Sequence, residues 1–219
     1  MKATPNILTE FKAFTLQTKI AEVKSFFKEN TYSHFPIVNN EKLVGLISET
    51  DIQGIYEDEN TLTEYKDLFK FFFIEEHTNF LEILNAFAIN ETNLAPVITK
   101  EQIYIGYYDL IDILHIYNNS PFLSNEGTII ILEKEIRDYS FSEICQIVES
   151  NNGKVLGIFI SKTTPSTVTI TLKFNASEVN EIIQSFRRFD YHVLSKHKED
   201  FLLEELKERT DYLQKYLNI

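Results

Sequence analysis

Cysteine occurs only once in the 219 residues, at Cys145, so no internal disulfide can form. A single thiol is typical of a protein kept in a reducing compartment, and we expect a cytoplasmic location. The first residues of the chain lack the apolar core of a signal peptide. No apolar run approaches the roughly 20 residues of a membrane-spanning helix, so we expect no membrane partner.

Basic residues are also in short supply. The chain has 21 Lys and Arg against 33 Asp and Glu, which gives a net charge of −12. Proteins that bind nucleic acids need a basic face to displace counterions from phosphates. The basic pair Arg187-Arg188 is too small for such a face, so we expect no nucleic-acid partner.

The residue patterns of common catalytic sites are missing. No phosphate-binding glycine loop and no Gly-x-Ser-x-Gly motif is present. The single cysteine has no evident base partner. None of the histidines has metal-ligand spacing; they are His34, His77, His115, His192 and His197. We therefore expect neither enzymatic activity nor a bound metal.

One stretch combines a hairpin pattern with the start of a helix. Two apolar runs, 35–38 and 43–47, flank a polar turn, which predicts a buried β-hairpin. Ser48 ends the second strand and Asp51 follows three residues later, as at the N-cap and first turn of a helix. The hydroxyl, the carboxylate and the free helix N–H groups could hold a hydroxylated, phosphorylated ligand. The alternative is a plain helix cap.

The stretch is part of an internal repeat. Thr18 and Asn30 bound one predicted helix, and Thr78 and Asn90 bound another, 60 positions later. The apolar residues of the two helices recur at the same offset, and each helix is preceded by an extended segment. We expect two units of the order helix, strand, strand, helix that pack face to face, because one unit alone has too little core.

Proline and glycine, with five and six residues in all, make this repeat specific. Pro96 follows Pro36 by 60 positions, and Gly106 follows Gly45 by 61 after one inserted residue in the turn. Asp112 follows Asp51 at the same offset of 61.

The motif Gly45-Leu-Ile-Ser-Glu-Thr-Asp-Ile and its echo resemble a tandem pair of CBS domains, a Bateman module. The resemblance implies an α+β fold with pseudo-twofold symmetry, made of domains at residues 1–60 and 61–118. It also implies an adenosine nucleotide (AMP, ADP or ATP) in a cleft of the pair. Carried over, Asp51 holds the ribose and Ser48 the phosphate. His34, Phe35 and Pro36 frame the base; the matching positions of the second unit are Pro96, Tyr108 and Asp112.

The second unit departs from this pattern at Asp109, which stands where Ser or Thr is expected. A carboxylate repels phosphate unless a metal lies between them. An empty second site, or adenosine without a phosphate there, is as compatible with the sequence as nucleotide held by Asp112. Asp109 could equally serve as a helix cap.

Turn-forming residues at 118–127 separate a further region, 128–197. Its order β-α-β-β-α-β predicts a ferredoxin-like domain, which after a CBS pair resembles an ACT domain. The turn Arg137–Phe141 lacks the glycine with which many ACT domains approach an amino acid. We therefore favour homodimerisation over amino-acid binding. Residues 200–219 predict a helix, with Leu202, Leu206, Leu213 and Leu217 on one stripe, which either packs on its own domain or pairs with a second copy.

Two functions are compatible with these patterns. The first is a regulatory sensor, in which an adenosine nucleotide in the CBS cleft acts through the ACT-like domain on a protein partner. The second is a non-catalytic assembly or scaffold protein that keeps the fold but has a vestigial ligand site. Asp109 and the missing ACT glycine favour the second hypothesis.

Overall fold

The computed structural model describes residues 7–195, and the predicted helix at 200–219 lies outside these residues. The chain divides into two compact units, Met1–Asn119 and Ser120–Ile219. Among the described residues, no helix has both the length and the apolar character required to cross a bilayer.

The first unit begins with a three-stranded sheet and two helices. In chain order its elements are β1 (Phe14–Thr15), α1 (Ile20–Glu29), β2 (His34–Asn39), β3 (Lys42–Ser48) and α2 (Glu49–Gln53). The sheet order is β1-β2-β3, with β1 parallel and β3 antiparallel to β2. A 3₁₀ segment, Leu62–Leu68, follows.

The predicted hairpin is confirmed. Asn40 and Glu41 connect β2 to β3 with φ values of 48° and 63°. Positive φ at both positions of a two-residue loop is the geometry that matches the twist of the flanking strands.

The second half of this unit repeats the first, as predicted. Its elements are β4 (Ile74–Glu75), α3 (Phe80–Ile89), β5 (Leu94–Ile98), β6 (Tyr104–Asp109) and α4 (Leu110–Asn118). The sheet order β4-β5-β6 has the same parallel and antiparallel pairings. The glycines occupy equivalent places in the register, with Gly45 opposite Ile37 and Gly106 opposite Val97.

The two halves exchange their lead-in segments. Leu8, which precedes the first half, exchanges two backbone hydrogen bonds with Tyr107 on β6, at 2.8 and 3.0 Å. Lys70, which precedes the second half, does the same with Leu46 on β3, at 2.8 and 2.9 Å. The halves also share a core, since Tyr107 and Leu94 of the second half belong to the cluster around Phe35.

The exchange of lead-in segments explains why positions 45 and 106 are both glycine. A Cβ added at Gly106 would lie 2.4 Å from the carbonyl oxygen of Leu8, and the φ of Gly106 is +142°. A Cβ at Gly45 would lie 2.9 Å from Cβ of Phe69 and 3.1 Å from the carbonyl oxygen of Lys70. In both halves the glycine lets the exchanged segment approach the strand.

The predicted threonine caps of α1 and α3 are wrong by one residue. The N-cap of α1 is Lys19, and the N-cap of α3 is Asn79, whose side chain accepts from the backbone N–H of Glu82. Thr18 instead bonds to Thr15 in the preceding turn. The hydroxyl of Thr78 likewise donates back, to the carbonyl of Glu75.

The second unit has the predicted ferredoxin-like order. Its elements are α5 (Pro121–Ser124), β7 (Thr128–Glu135), α6 (Phe141–Ser150), β8 (Lys154–Thr163), β9 (Thr167–Asn175), α7 (Val179–Arg188) and β10 (His192–Val193). The sheet order is β10-β7-β9-β8, with every pair antiparallel. The predicted linker contains one short helix, α5, which has proline in its first turn.

Inward-facing residues of this sheet pack against α6 and α7. Ile130, Leu132, Ile170 and Leu172 are fully buried with Phe186 of α7. The burial alternates along β7 and β9, so the opposite face of the sheet carries the intervening residues.

Candidate functional site

The hydroxyl of Ser48 and the carboxylate of Asp51 meet where β3 ends. Ser48 is the N-cap of α2, and its Oγ accepts from the backbone N–H of Asp51 at 3.0 Å. The same Oγ donates to Oδ2 of Asp51 at 2.5 Å. Ser48 is buried and Asp51 is half-buried. The two residues predicted from the sequence therefore lie together, and two hydrogen bonds join them.

His34 lies beside this pair, because it stands opposite Ser48 in the β2–β3 register. Its Nε2 is 3.1 Å from Nζ of Lys70, and its Nδ1 is 3.0 Å from Oγ of Ser33. A lysine ammonium can only donate, so Nε2 is the acceptor and Nδ1 carries the proton.

Burial lowers the pKa of His34, and the positive charge of Lys70 lowers it further, while Asp51 acts in the opposite direction. The imidazole is therefore neutral at physiological pH. A neutral imidazole is also what a hydrogen bond from Lys70 requires. The geometry and the direction of the pKa shift are thus consistent.

Lys70 is the residue of this site that the sequence patterns did not identify. It is the only charged residue in the run Leu68–Ile74, which otherwise consists of apolar and aromatic side chains. The backbone pairing with Leu46 fixes its position, and its side chain is exposed. The sequence shows that Lys70 lies in the segment that leads into the second half. It does not show that this segment pairs with a strand of the first half, because such pairing has no local pattern.

Phe35 and Pro36, which were predicted to frame a base, are both buried in β2. The ring of Phe35 is fully buried, with centroids 4.1 Å from Phe26 and 5.0 Å from Phe14. Only the backbone of Phe35 is left for a ligand. Pro36 follows it in β2, buried opposite Leu46.

The corresponding positions of the second half have different chemistry. Asp109 is the N-cap of α4, and its Oδ1 accepts from the N–H groups of Ile111 and Asp112 at 2.7 and 3.4 Å. Asp112 is exposed. Leu94 takes the place of His34 opposite the N-cap residue, and Leu8 takes the place of Lys70. This half-site contains neither the lysine nor the imidazole.

Pro96 and Tyr108, the other two positions chosen in the second half, are both buried in strands. Pro96 is in β5 opposite Tyr107, and Tyr108 is in β6 opposite Ala95. Burial raises the pKa of Tyr108, and the charge of Glu76 raises it further. The tyrosine is therefore a neutral core side chain.

Hydrogen bonds connect His34 to the second half. Oγ of Ser33 is 3.2 Å from Oδ1 of Asn93 and 3.3 Å from Oγ1 of Thr92. The backbone N–H of Ser33 donates to Oδ1 of Asn93 at 2.8 Å, and Nδ2 of Asn93 donates to the carbonyl of Thr31 at 2.7 Å. One hydroxyl, that of Ser33, thus separates the imidazole from the other half.

The first half-site therefore combines an exposed lysine ammonium, a neutral imidazole, a hydroxyl and a carboxylate. A carboxylate accepts hydrogen bonds from sugar hydroxyls, and an ammonium binds phosphate oxygens. Among residues 7–195, no three His, Cys, Asp or Glu side chains are close enough together to hold a metal ion.

Comparison with protein-family models matches residues 7–58 to the CBS domain. No curated protein is a significant match. Similar solved structures include the CBS domains of a transcriptional regulator from Streptococcus pneumoniae. This structure has 16% identity and a TM-score of 0.44, and the match covers 51% of this chain and 92% of that one. A CBS domain pair/ACT domain protein from Thermotoga maritima has 16% identity and a TM-score of 0.45, covering 51% of this chain and 91% of that one.

A third structure is the CBS domain of a bacterial CNNM/CorC family Mg²⁺ transporter in complex with ATP. It has 18% identity and a TM-score of 0.42, covering 51% of this chain and 82% of that one. The family match spans β1 to α2, and the second half of the unit repeats those elements. Residues 7–58 therefore resemble a CBS domain, and residues 69–118 repeat the same order of elements.

Proposed function

We propose that the protein is a regulatory sensor that binds an adenosine nucleotide in the first half-site of its CBS pair. The observation that carries this proposal is the position of Lys70, whose Nζ lies 3.1 Å from Nε2 of His34, beside the Ser48–Asp51 pair. A cation at this point supplies local charge complementarity for phosphate in a chain whose net charge is −12.

In this proposal Asp51 accepts hydrogen bonds from the ribose hydroxyls, which replace the hydroxyl of Ser48. The freed Ser48 hydroxyl and the ammonium of Lys70 bind phosphate oxygens. The backbone around Pro36 contacts the adenine. AMP, ADP and ATP share these groups and differ in the number of phosphates that reach Lys70.

The signal leaves the site through His34. When phosphate takes over the ammonium of Lys70, His34 loses a donor at Nε2, and its bond to Ser33 is altered. Ser33 is hydrogen-bonded to Asn93, so the second half responds. Nucleotide shifts the equilibrium only if it binds the two arrangements with different affinity. The ACT-like domain then presents the change to a protein partner.

The proposal includes a cytoplasmic, non-catalytic homodimer. Strand β8, with ten residues, lies at the edge of its sheet, so one side of its backbone has no partner strand within residues 7–195. An edge strand of this length is suited to pairing with a second copy. Dimerisation through β8 would extend the sheet of the second unit into a second copy.

The alternative function is an assembly or scaffold protein with a vestigial site. Asp51 is already satisfied by Ser48, and Asp109 caps α4 without any ligand. In that case the helix caps are the whole role of these residues. The stability of the protein would then be independent of nucleotide.

Thermal unfolding with AMP, ADP and ATP separates the two functions. The sensor hypothesis predicts stabilisation by about 2.7 kcal/mol at a ligand concentration of ~100 times Kd. Asp51→Ala should abolish the shift in melting temperature, whereas Asp112→Ala, the matched change in the second half, should leave it. The absence of a shift with all three nucleotides would overturn the sensor hypothesis and favour the scaffold.

A further inference from the structure

Helices α3 and α4 of the second half present large apolar side chains to solvent. Leu81 and Ile89 of α3 are 69% and 70% exposed, and Ile111 and Leu114 of α4 are 58% and 44% exposed. We call the surface formed by these four residues the outer helix face. Single exposed apolar residues are ordinary, but a group of four on two neighbouring helices marks a surface suited to being covered.

The outer helix face continues from one helix to the other. The ring centroid of Phe80, at the start of α3, lies 5.6 Å from that of Tyr117, near the end of α4, so the two helices run antiparallel side by side. Ile89 therefore lies toward the start of α4, and Leu81 lies toward its end. Ile83 is buried on the opposite side of α3, against the core of this half.

The first half shows that the fold does not require an apolar surface at this place. The pattern of exposed, half-buried and buried residues over positions 21–29 is the same as that over positions 81–89. The residues matched to the outer helix face are all exposed, and none is a large apolar residue: Ala21, Glu29, Thr50 and Gln53. Packing within the unit therefore does not account for the large apolar side chains of the second half.

We propose that the outer helix face is an interface with a second copy of this chain, in which α3 and α4 pack on α3 and α4 of the copy. The exposed fractions of its four side chains correspond to on the order of 400 Å² of apolar surface on each chain. Pairing two copies removes on the order of 800 Å² through these residues alone, and a specific interface buries roughly 1,200–2,000 Å² in total. Asn85, Ala88 and Asn118, which are exposed on the same helices, bring the contact close to this range.

The charge of the two helices favours a copy over an unrelated partner. Helices α3 and α4 contain two carboxylates, Glu82 and Asp112, and no lysine or arginine. Such a surface offers little of the charge complementarity that selects an unrelated partner and steers it to its site. A copy needs none, because a twofold contact sets the same surface of both chains against itself. In a chain with a net charge of −12, an interface with few charges also limits repulsion between the copies.

The proposed contact involves no residue of the first half-site. It therefore holds or fails independently of nucleotide binding, and also of the pairing of β8 in the second unit. A chain that forms both contacts would associate beyond a dimer, and either contact could be removed without the other.

Sedimentation equilibrium of the full chain tests the contact, since it measures how the average mass rises with concentration. Leu81→Lys/Leu114→Lys should weaken the association by about tenfold or more, because like charges would then meet in an apolar contact. The control Ala21→Lys/Gln53→Lys introduces two lysines at the matched positions of the first half and should leave the mass unchanged. Equal masses for the unmodified chain and the leucine variant at every concentration would overturn the proposal.

Thiol labelling tests what covers the outer helix face. In a Cys145→Ser background, a maleimide should label Ile89→Cys several-fold more slowly when the protein is associated than when it is diluted to the monomer. Glu29→Cys, at the matched position of the first half, should react at the same rate in both states. Fast labelling of Ile89→Cys in both states would overturn the proposal. Slow labelling of a species of monomer mass would mean that the chain covers the face itself, and this would overturn it as well.

Discussion

The two halves of the first unit have the same sheet order and strand pairing but different chemistry. In the first, Lys70, His34, Ser48 and Asp51 lie together, and in the second the equivalent places hold Leu8, Leu94, Asp109 and Asp112. The register, the lead-in exchange and the strand glycine are retained in both. The backbone repeat is therefore a requirement of packing, while the polar groups differ between the halves, and the proposed function accordingly predicts one nucleotide per chain.

The largest effect expected from this comparison is on stability. Gly106→Ala would force a side chain into a φ of +142° and against the carbonyl of Leu8, so we expect a loss of about 3 kcal/mol or more. Gly45→Ala has no such backbone strain but places a Cβ 2.9 Å from Cβ of Phe69 and 3.1 Å from the carbonyl oxygen of Lys70, so we expect a smaller loss of about 1–2 kcal/mol. Urea denaturation followed by circular dichroism measures both. Equal losses would mean that the two exchanged segments are held equally tightly.

The next effect concerns affinity. Lys70→Met should weaken ATP binding by about 10–100-fold, because a hydrogen bond to a charged group contributes about 1.5–3 kcal/mol. It should also reduce the salt dependence of binding. Isothermal titration calorimetry measures affinity and stoichiometry together.

The matched change for Lys70 is Leu8→Met, at the equivalent place in the second half. It alters no charge, and we expect the affinity and a stoichiometry of one to be retained. If Leu8→Met weakened ATP binding as much as Lys70→Met, the assignment of the ligand to the first half-site would be wrong.

The smallest effect is on the pH dependence of stability. The pKa of His34 is lowered in the folded state, so between the folded pKa and the ordinary value near 6.5 the unfolded chain binds more protons. Stability should therefore fall as the pH drops through this window and be fully present above it. His34→Leu, which copies Leu94 of the second half, should remove this slope. Denaturant midpoints measured from pH 5 to 8 would show this loss of slope. If the slope were unchanged in His34→Leu, another titrating group would be responsible for the pH dependence.

The sequence predicted the repeat well because its signals are local. Pro36 and Gly45 recur at fixed offsets as Pro96 and Gly106, and the apolar periodicity of the helices recurs with them. The order of the second unit was likewise predicted from local signals, namely β-branched strands, amphipathic helices and the turn residues between them. The caps were misplaced by one residue because Thr18 and Thr78 satisfy the preceding turns instead of the helices.

The site was predicted only in part for a different reason. Ser48 and Asp51 are three residues apart, so their meeting is a local property of the chain. Lys70 reaches His34 only because its segment pairs with a strand of the other half, 24 residues earlier at Leu46. Such long-range pairing leaves no periodic pattern. The same holds for the Ser33–Asn93 contact, which joins positions 60 residues apart.

The crossed lead-in segments also set where the polypeptide could be severed without falling apart. A single cut in the exposed acidic stretch Glu57–Glu59 would leave each fragment holding an edge of the other, through Leu8 on β6 and Lys70 on β3. The two fragments should stay associated after the peptide bond is cleaved. Neither fragment alone can supply the segment that pairs with its own edge strand. We therefore expect that a single half, although it is the repeating unit of the sequence, does not fold by itself.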